Sequence, residues 1–176
     1  MHVIHAGLGE DTIHAGTWST TIFGNDGDDS LHGNIGNDYL DGGSGNDSLN
    51  GLDGDDTFVI PANQQIFHDI VNGGDGTDSI NLHDLTSTVQ LVVSTLDPIV
   101  LANGNVMITS QGNTIENWSL TQYDDQVVFK SGAILPANSL IDAGDGKDLL
   151  DYSSYGSGVT VNLSNATATL LSLIHI

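Results

Sequence analysis

Aspartate recurs through the first third of the chain at a fixed spacing that could serve metal binding. From Gly24 to Val59 the sequence repeats every nine residues without a gap, and aspartate holds the sixth place of each unit. Two further units in the same frame precede them, and one of these also keeps its aspartate. The sixth-place carboxylates are Asp11, Asp29, Asp38, Asp47 and Asp56. Because carboxylate oxygens are the ligands that hard divalent cations prefer, the spacing predicts a row of cation sites.

The remaining places of each unit indicate how the carboxylates are positioned. Glycine opens each unit and returns at the fourth place, where its missing side chain allows positive φ angles and tight turns. These glycines are Gly24, Gly27, Gly33, Gly36, Gly42, Gly45, Gly51 and Gly54. Places seven to nine form a short strand whose middle, apolar side chain points inward. Each unit is therefore a loop followed by a strand.

One apolar residue in nine forms a core only if the units stack. In register, the eighth-place side chains make a continuous ladder of Ile13, Ile22, Leu31, Leu40, Leu49 and Phe58. Two units make one coil, so loops two units apart lie on the same side, with coils about 4.8 Å apart. We predict an all-β fold, a right-handed parallel β-roll at residues 6–59 that continues into a β-rich modular second half.

The units resemble the RTX, or haemolysin-type, calcium-binding repeat of bacterial type I secreted proteins, with its pattern G-G-x-G-x-D-x-U-x. The resemblance implies that Ca²⁺ binds between loops two units apart, through the sixth-place carboxylates and main-chain carbonyls of the glycine-rich loops. It implies one site for Asp11 and Asp29, another for Asp29 and Asp47, and a third for Asp38 and Asp56. The glycines named above belong to the same predicted sites.

Some units depart from this pattern. Asn25, Asn34 and Leu52 replace the second glycine, and asparagine tolerates a left-handed backbone better than leucine does. In the second unit, Trp18 and Thr20 stand at the fourth-place glycine and the sixth-place aspartate. These replacements argue against a calcium site in that coil and favour a packing or capping coil.

The composition supports a metal-dependent fold. The chain has 21 Asp, two Glu, two Lys and no Arg, for a net charge of −21. Such charge repels itself in a compact state, so the metal-free form should be loose and cations should couple to folding. The acidity argues against nucleic acid as a partner, since nucleic acid is itself a polyanion. No apolar run reaches the 18 residues of a transmembrane segment.

The second half contains two further RTX-like units, which begin at Gly73 and, seventy residues later, at Ala143. Asp78 and Asp148 are the candidate metal ligands of these isolated units. We predict a β-rich module at 60–142 that opens with the unit at 73–81, after a 13-residue insertion. A truncated second copy follows at 143–176, where 170–176 is either an ordinary last strand or a non-native tail.

The sequence contains no catalytic signature. It lacks the H-E-x-x-H motif of zinc proteases and the G-x-S-x-G elbow of lipases, so we predict no enzyme activity. The resemblance favours a calcium-binding structural or interaction segment of a larger secreted or cell-surface bacterial protein. Such an adhesin-like segment would fold on calcium outside the cell and engage an unknown extracellular ligand or surface. The alternative is an accessory C-terminal roll of a secreted protease, lipase or haemolysin whose active domain is missing.

Overall fold

A computed structural model describes residues 1–62, 67–94, 97–102 and 104–154. The predicted second copy from residue 155 onward, including 170–176, lies outside the described residues. Within the described ranges, regular structure is strand except for a 3₁₀ turn at Gln111–Asn113. The strands are β1 His2–Leu8, β2 Thr12–His14, β3 Thr20–Asp26, β4 Ser30–Ile35, β5 Tyr39–Ser44, β6 Ser48–Asp53, β7 Thr57–Val59, β8 Asp69–Asp75, β9 Ser79–Asn81, β10 Val89–Val93, β11 Ile99–Ala102, β12 Asn105–Ser110, β13 Asn117–Ser119, β14 Gln126–Phe129, β15 Leu140–Asp142 and β16 Leu149–Asp151.

The chain alternates between two sheets as it winds. One sheet has the order β1-β3-β5-β7-β9-β13-β15, and the other β16-β14-β10-β11-β12-β8-β6-β4-β2. Among the described strands, all pairings are parallel except β10 with β11 and β11 with β12. Successive nine-residue units enter opposite sheets, so two units complete one coil. The predicted parallel β-roll is confirmed.

The core is the predicted ladder of eighth-place side chains. Leu40 pairs with Ile22 on one side and Phe58 on the other, and Leu31 pairs with Leu49 in the second sheet. All five side chains are buried, whereas Ile13 near the end of the roll is only partly buried. Each buried leucine or phenylalanine contributes about 1.5–3 kcal/mol relative to exposure. Stacking therefore turns one apolar residue per unit into a continuous core.

The roll continues past residue 59 without a break in either sheet. β8 pairs with β6, and β9 with β7, both in parallel. Leu49 lies opposite Val71 and Phe58 opposite Ile80, a separation of 22 residues instead of the 18 seen earlier. The predicted insertion at 60–72 therefore contains one more strand of the roll together with four extra residues. The domain boundaries at 59 and 142 stay a prediction.

The second half extends the same two sheets. β13 and β15 continue the first sheet, where Trp118 lies between Ile80 and Ile141 and is 1 % exposed. An antiparallel segment, β10 to β12, inserts into the other sheet between β14 and β8. In β10, buried residues alternate with partly buried ones. No helix in the described ranges is long and apolar enough to cross a bilayer.

Backbone conformation explains why glycine and asparagine recur in the loops. Asn25, Asn34 and Leu52 all adopt positive φ angles, of 79°, 85° and 78°. The left-handed region suits asparagine but strains leucine, so Leu52 is the strained member of this set. At Gly54, where φ is 131°, a β-carbon would overlap the Gly36 backbone of the preceding coil. Glycine at the fourth place therefore allows the coils to approach closely.

Candidate metal sites

The sixth-place aspartates stack in two columns, one along each row of loops. The first column contains Asp11, Asp29, Asp47 and Asp69, linked by hydrogen bonds between neighbours. The main-chain N–H of each aspartate donates to Oδ1 of the next, at 2.8, 2.8 and 2.9 Å. The structure thus brings together the predicted pairs Asp11–Asp29 and Asp29–Asp47.

The second column follows the same rule on the other row of loops. Asp38 donates its N–H to Oδ1 of Asp56 at 2.7 Å, and Asp56 donates to Oδ1 of Asp78 at 2.8 Å. The predicted pair Asp38–Asp56 is therefore adjacent. The expectation that Asp78 is isolated is wrong, because Phe58 pairs with Ile80 and Asp78 lies beside Asp56, although 22 residues instead of 18 separate them.

The second carboxylate oxygen of these aspartates is buried and unbonded. Asp29, Asp38, Asp47, Asp56 and Asp78 are between 0 and 3 % exposed. Among the described residues, none of their Oδ2 atoms has a hydrogen-bond partner, and Oδ2 of Asp11 also lacks one. A buried polar atom without a partner costs about 1–3 kcal/mol, and more if it is charged. The repetition of this costly feature indicates that a ligand completes each position.

Five of these six oxygens lie beside the first-place glycine of their own unit, and the exception is Asp11, whose unit begins with Ala6. A β-carbon added to Gly33 would lie 2.5 Å from Oδ2 of Asp38 and 2.7 Å from the carbonyl oxygen of Gly51. We call such a space a cradle: the gap that the missing side chain leaves between a carboxylate and the next coil. Cradles with a carbonyl oxygen of the next coil also lie at Gly24 with Asp29, at Gly51 with Asp56 and at Gly73 with Asp78, and at Gly42 the nearest atoms are those of the Asp47 side chain.

The donor atoms of the cradles fit a hard cation. Among the described residues, no group of three or more histidine, aspartate or glutamate side chains converges on a single point. The cradles instead combine carboxylate oxygens with main-chain carbonyl oxygens. Calcium accepts such a mixed oxygen shell, whereas zinc prefers histidine nitrogen and cysteine sulfur. The residues present therefore fit calcium.

The predicted fourth-place glycines have a different surrounding. Gly27, Gly45 and Gly54 each stack on the carbonyl of a glycine in the preceding coil, at Gly9, Gly27 and Gly36 respectively. Gly36 instead approaches the main chain at Ser19, which belongs to the coil that lacks the motif. These contacts set the spacing between loops, and a direct ligand role for the fourth-place glycines stays a prediction.

The coil of Trp18 and Thr20 supplies no carboxylate. Thr20 donates its N–H to Oδ1 of Asp38 at 2.6 Å, as an aspartate would at this place. Its hydroxyl donates to the carbonyl of Trp18 at 2.7 Å. Thr20 therefore keeps the main-chain link between coils but lacks the second oxygen that faces each cradle elsewhere.

Asp69 belongs to the first column but is not among the residues predicted from the sequence. Its unit has no glycine-rich loop, yet Asp69-Ile70-Val71-Asn72 is followed by Gly73-Gly74, as Asp38-Tyr39-Leu40-Asp41 is followed by Gly42-Gly43. That signal could have placed Asp69 in the first column. The predicted residue Asp148 also joins a neighbour, because Asp125 donates its N–H to Oδ1 of Asp148 at 3.0 Å.

Burial raises the pKa of four aspartates in the columns. It raises the pKa of Asp47 and Asp78 to about 6, of Asp56 to about 7 and of Asp69 to about 8, against an ordinary value of 3.8. Neighbouring carboxylates add to this effect, whereas the N–H that each aspartate accepts opposes it. Without a cation, burial in the folded roll therefore favours the protonated form of these four carboxyl groups over the ionised form.

These shifts predict that acid stabilises the calcium-free chain. Each folded-state pKa lies above the unfolded value, so folding takes up protons. The stabilisation is fully present below about pH 4 and is lost as the pH rises through about 6 to 8. In EDTA, far-UV circular dichroism should show a larger strand signal at pH 5 than at pH 8. Saturating calcium should reverse this order, because cations displace the protons. A strand signal in EDTA that rises with pH would contradict the prediction.

Comparison with known families agrees with this geometry. Residues 3–17, 21–58 and 67–84 match the family model of the RTX calcium-binding nonapeptide repeat (4 copies). No curated protein gives a match to the chain. The matched segments contain the aspartates of both columns from Asp11 to Asp78. RTX repeats bind Ca²⁺, so the oxygen-lined cradles and the family agree on the cation. Residues 3–17, 21–58 and 67–84 are therefore RTX-type nonapeptide repeats, and in this chain they form a calcium-binding β-roll.

Proposed function

We propose that this chain is a structural and interaction segment of a secreted or cell-surface bacterial RTX protein of the adhesin type. It folds when calcium binds outside the cell, and it presents a stiff roll to an extracellular ligand or surface. The observation that supports this proposal is the row of buried Asp Oδ2 atoms that face cradles without a hydrogen-bond partner in the described residues. No catalytic step is part of the proposed role.

The proposed ligands are the aspartates of the two columns. Asp29, Asp38, Asp47, Asp56 and Asp78 hold the cations through Oδ2, together with the carbonyl oxygens that face the same cradles. Asp11 completes the first column at its N-terminal end, and Asp69 extends it beyond the predicted set. Bound calcium supplies positive charge between coils, where the chain itself has only carboxylates and carbonyls. The aspartates and glycines hold successive coils at a fixed separation.

The uncompensated negative charge of the aspartates explains why the chain would fold only where calcium is abundant, outside the cell. No lysine or arginine occurs before Lys130, so the calcium-free roll has no cationic side chain of its own to offset its aspartates. Extracellular calcium modules typically bind with Kd of about 10⁻⁴–10⁻³ M. Such affinities leave the chain unliganded at low cytosolic calcium and liganded at millimolar calcium. The segment would thus stay extended during export and become rigid afterwards.

A calcium titration tests the proposal. Small-angle scattering should show an expanded chain that becomes compact, with a midpoint of about 10⁻⁴–10⁻³ M free calcium at neutral pH. A midpoint at or below micromolar calcium would contradict folding outside the cell, since the roll would then form before export. The coding sequence upstream separates the adhesin role from the alternative. An H-E-x-x-H or G-x-S-x-G domain there would favour an accessory roll of a secreted enzyme.

A further inference from the structure

The second column does not end at the last nonapeptide unit. Asp78 donates its N–H to Oε2 of Glu116 at 2.8 Å, which matches the bonds that Asp38 and Asp56 make to the next aspartate. The N–H of Asn117 bonds the carbonyl of Asp78 at 2.9 Å, as that of Ser79 bonds Asp56. Glu116 therefore occupies the place of the next column aspartate, although 38 residues separate it from Asp78.

A cradle also lies at this position. A β-carbon on Gly73 would meet Oδ2 of Asp78 and the carbonyl oxygen of Thr114, just as one on Gly51 would meet Asp56 and Gly73. Asp78 is completely buried, and its Oδ2 has no partner among the described residues. An unpartnered carboxylate oxygen is thus aimed at a carbonyl from outside the repeats. The three segments that match the repeat family end at residue 84, well before Thr114.

Asp125, a buried aspartate outside the two columns, has hydrogen-bond partners for both of its carboxylate oxygens. Asp125 is 2 % exposed and accepts the N–H of Val89 on Oδ1 at 2.8 Å. Thr121 bonds both of its carboxylate oxygens, through its N–H at 2.8 Å and its hydroxyl at 2.9 Å. Asp125 therefore needs no cation to satisfy it, whereas Asp78 does.

We propose that Asp78, the carbonyl of Thr114 and Glu116 form a calcium site that closes the second column. The site joins β13 to the roll and brings together the two ends of the segment that contains β10 to β12. It rests on the proposed calcium-dependent folding and completes the cradle at Gly73 with ligands, Glu116 and the carbonyl of Thr114, that lie outside the nonapeptide repeats. Trp118 lies two residues after Glu116 and is buried between β9 and β15, so its fluorescence should report occupancy.

The test compares two identical substitutions in a Trp18→Phe background, which leaves Trp118 as the single tryptophan. Glu116→Gln removes the proposed ligand charge, and Glu10→Gln makes the same change at an exposed loop position. Calorimetry with CaCl₂ should show one ion fewer for Glu116→Gln. Its Trp118 fluorescence should no longer shift to the blue over the calcium range in which the parent responds, while the circular dichroism of the roll is retained. Glu10→Gln should match the parent in all three measurements.

The outcomes separate this site from the function on which it rests. Unchanged stoichiometry and an unchanged Trp118 response in Glu116→Gln would overturn the site. A parent that is fully folded in EDTA would instead overturn the calcium-dependent function. If Glu116→Gln does not fold at any calcium concentration, Gly73→Ala provides the decisive measurement, since its methyl group fills the same cradle without removing charge. A parent-like ion count in Gly73→Ala would then overturn the site.

Discussion

Removal of calcium at neutral pH is expected to abolish most of the β-structure of the roll. At about 1 mM free calcium, a site with Kd of about 10⁻⁴ M stabilises the fold by roughly 1.4 kcal/mol. The five glycine cradles would together contribute roughly 7 kcal/mol, which is comparable with the stability of a whole domain. The metal-free roll also keeps buried carboxylate oxygens without partners, so its own contacts oppose folding.

Far-UV circular dichroism with and without EDTA measures this effect. The strand signal should fall on chelation and return when excess calcium is added. Magnesium provides the control, because it requires a compact octahedral shell and gives up its water reluctantly. The same concentration of MgCl₂ should therefore restore little of the signal. A fully folded spectrum in EDTA at pH 8 would refute the calcium-coupled mechanism.

A single methyl group at Gly33 is expected to disable one cradle. Gly33→Ala places a β-carbon 2.5 Å from Oδ2 of Asp38 and 2.7 Å from the Gly51 carbonyl, without changing any charge. The loss of one site and the overpacking should together cost about 2–4 kcal/mol of unfolding free energy in 1 mM calcium. Urea unfolding in calcium measures this change, and calorimetry should show the loss of one bound ion.

Gly16→Ala is the matched control for this substitution. Gly16 belongs to the coil without the motif, and a β-carbon there would have no atom within 4 Å. Its stability and ion count should stay within experimental error of the parent. If both substitutions have the same small effect, the space beside Gly33 does not hold a cation.

The repeat itself was predictable because its signal is local and periodic. The spacing of nine residues is sufficient to place Leu31 beside Leu49 and Asp29 beside Asp47, since every coil has the same length. The left-handed backbone at Asn25 and Asn34 likewise follows from residue type alone. Where each unit repeats the last, stacking leaves little freedom in register.

The later part of the columns was not predictable from that period. Asp69 lies 22 residues after Asp47 instead of 18, and no glycine motif precedes it. A fixed spacing of nine residues therefore does not predict it. Glu116 reaches its place only because β10 to β12 lie in the other sheet while β13 returns beside β9. Such a contact depends on how the whole intervening segment folds, and no local spacing encodes it.

The direction of the hydrogen bonds within the columns gives the roll a polarity. In each pair, the earlier aspartate donates its N–H and the later coil supplies the accepting carboxylate, from Asp11 through to Glu116. The carbonyls that line the cradles at Gly24, Gly33, Gly51 and Gly73 also come from the later coil. In these contacts, each coil is therefore completed by the coil that follows it. The two ends of the roll are therefore chemically unlike, because along the columns the first coil gives an N–H donor to its neighbour and the last gives a carboxylate acceptor.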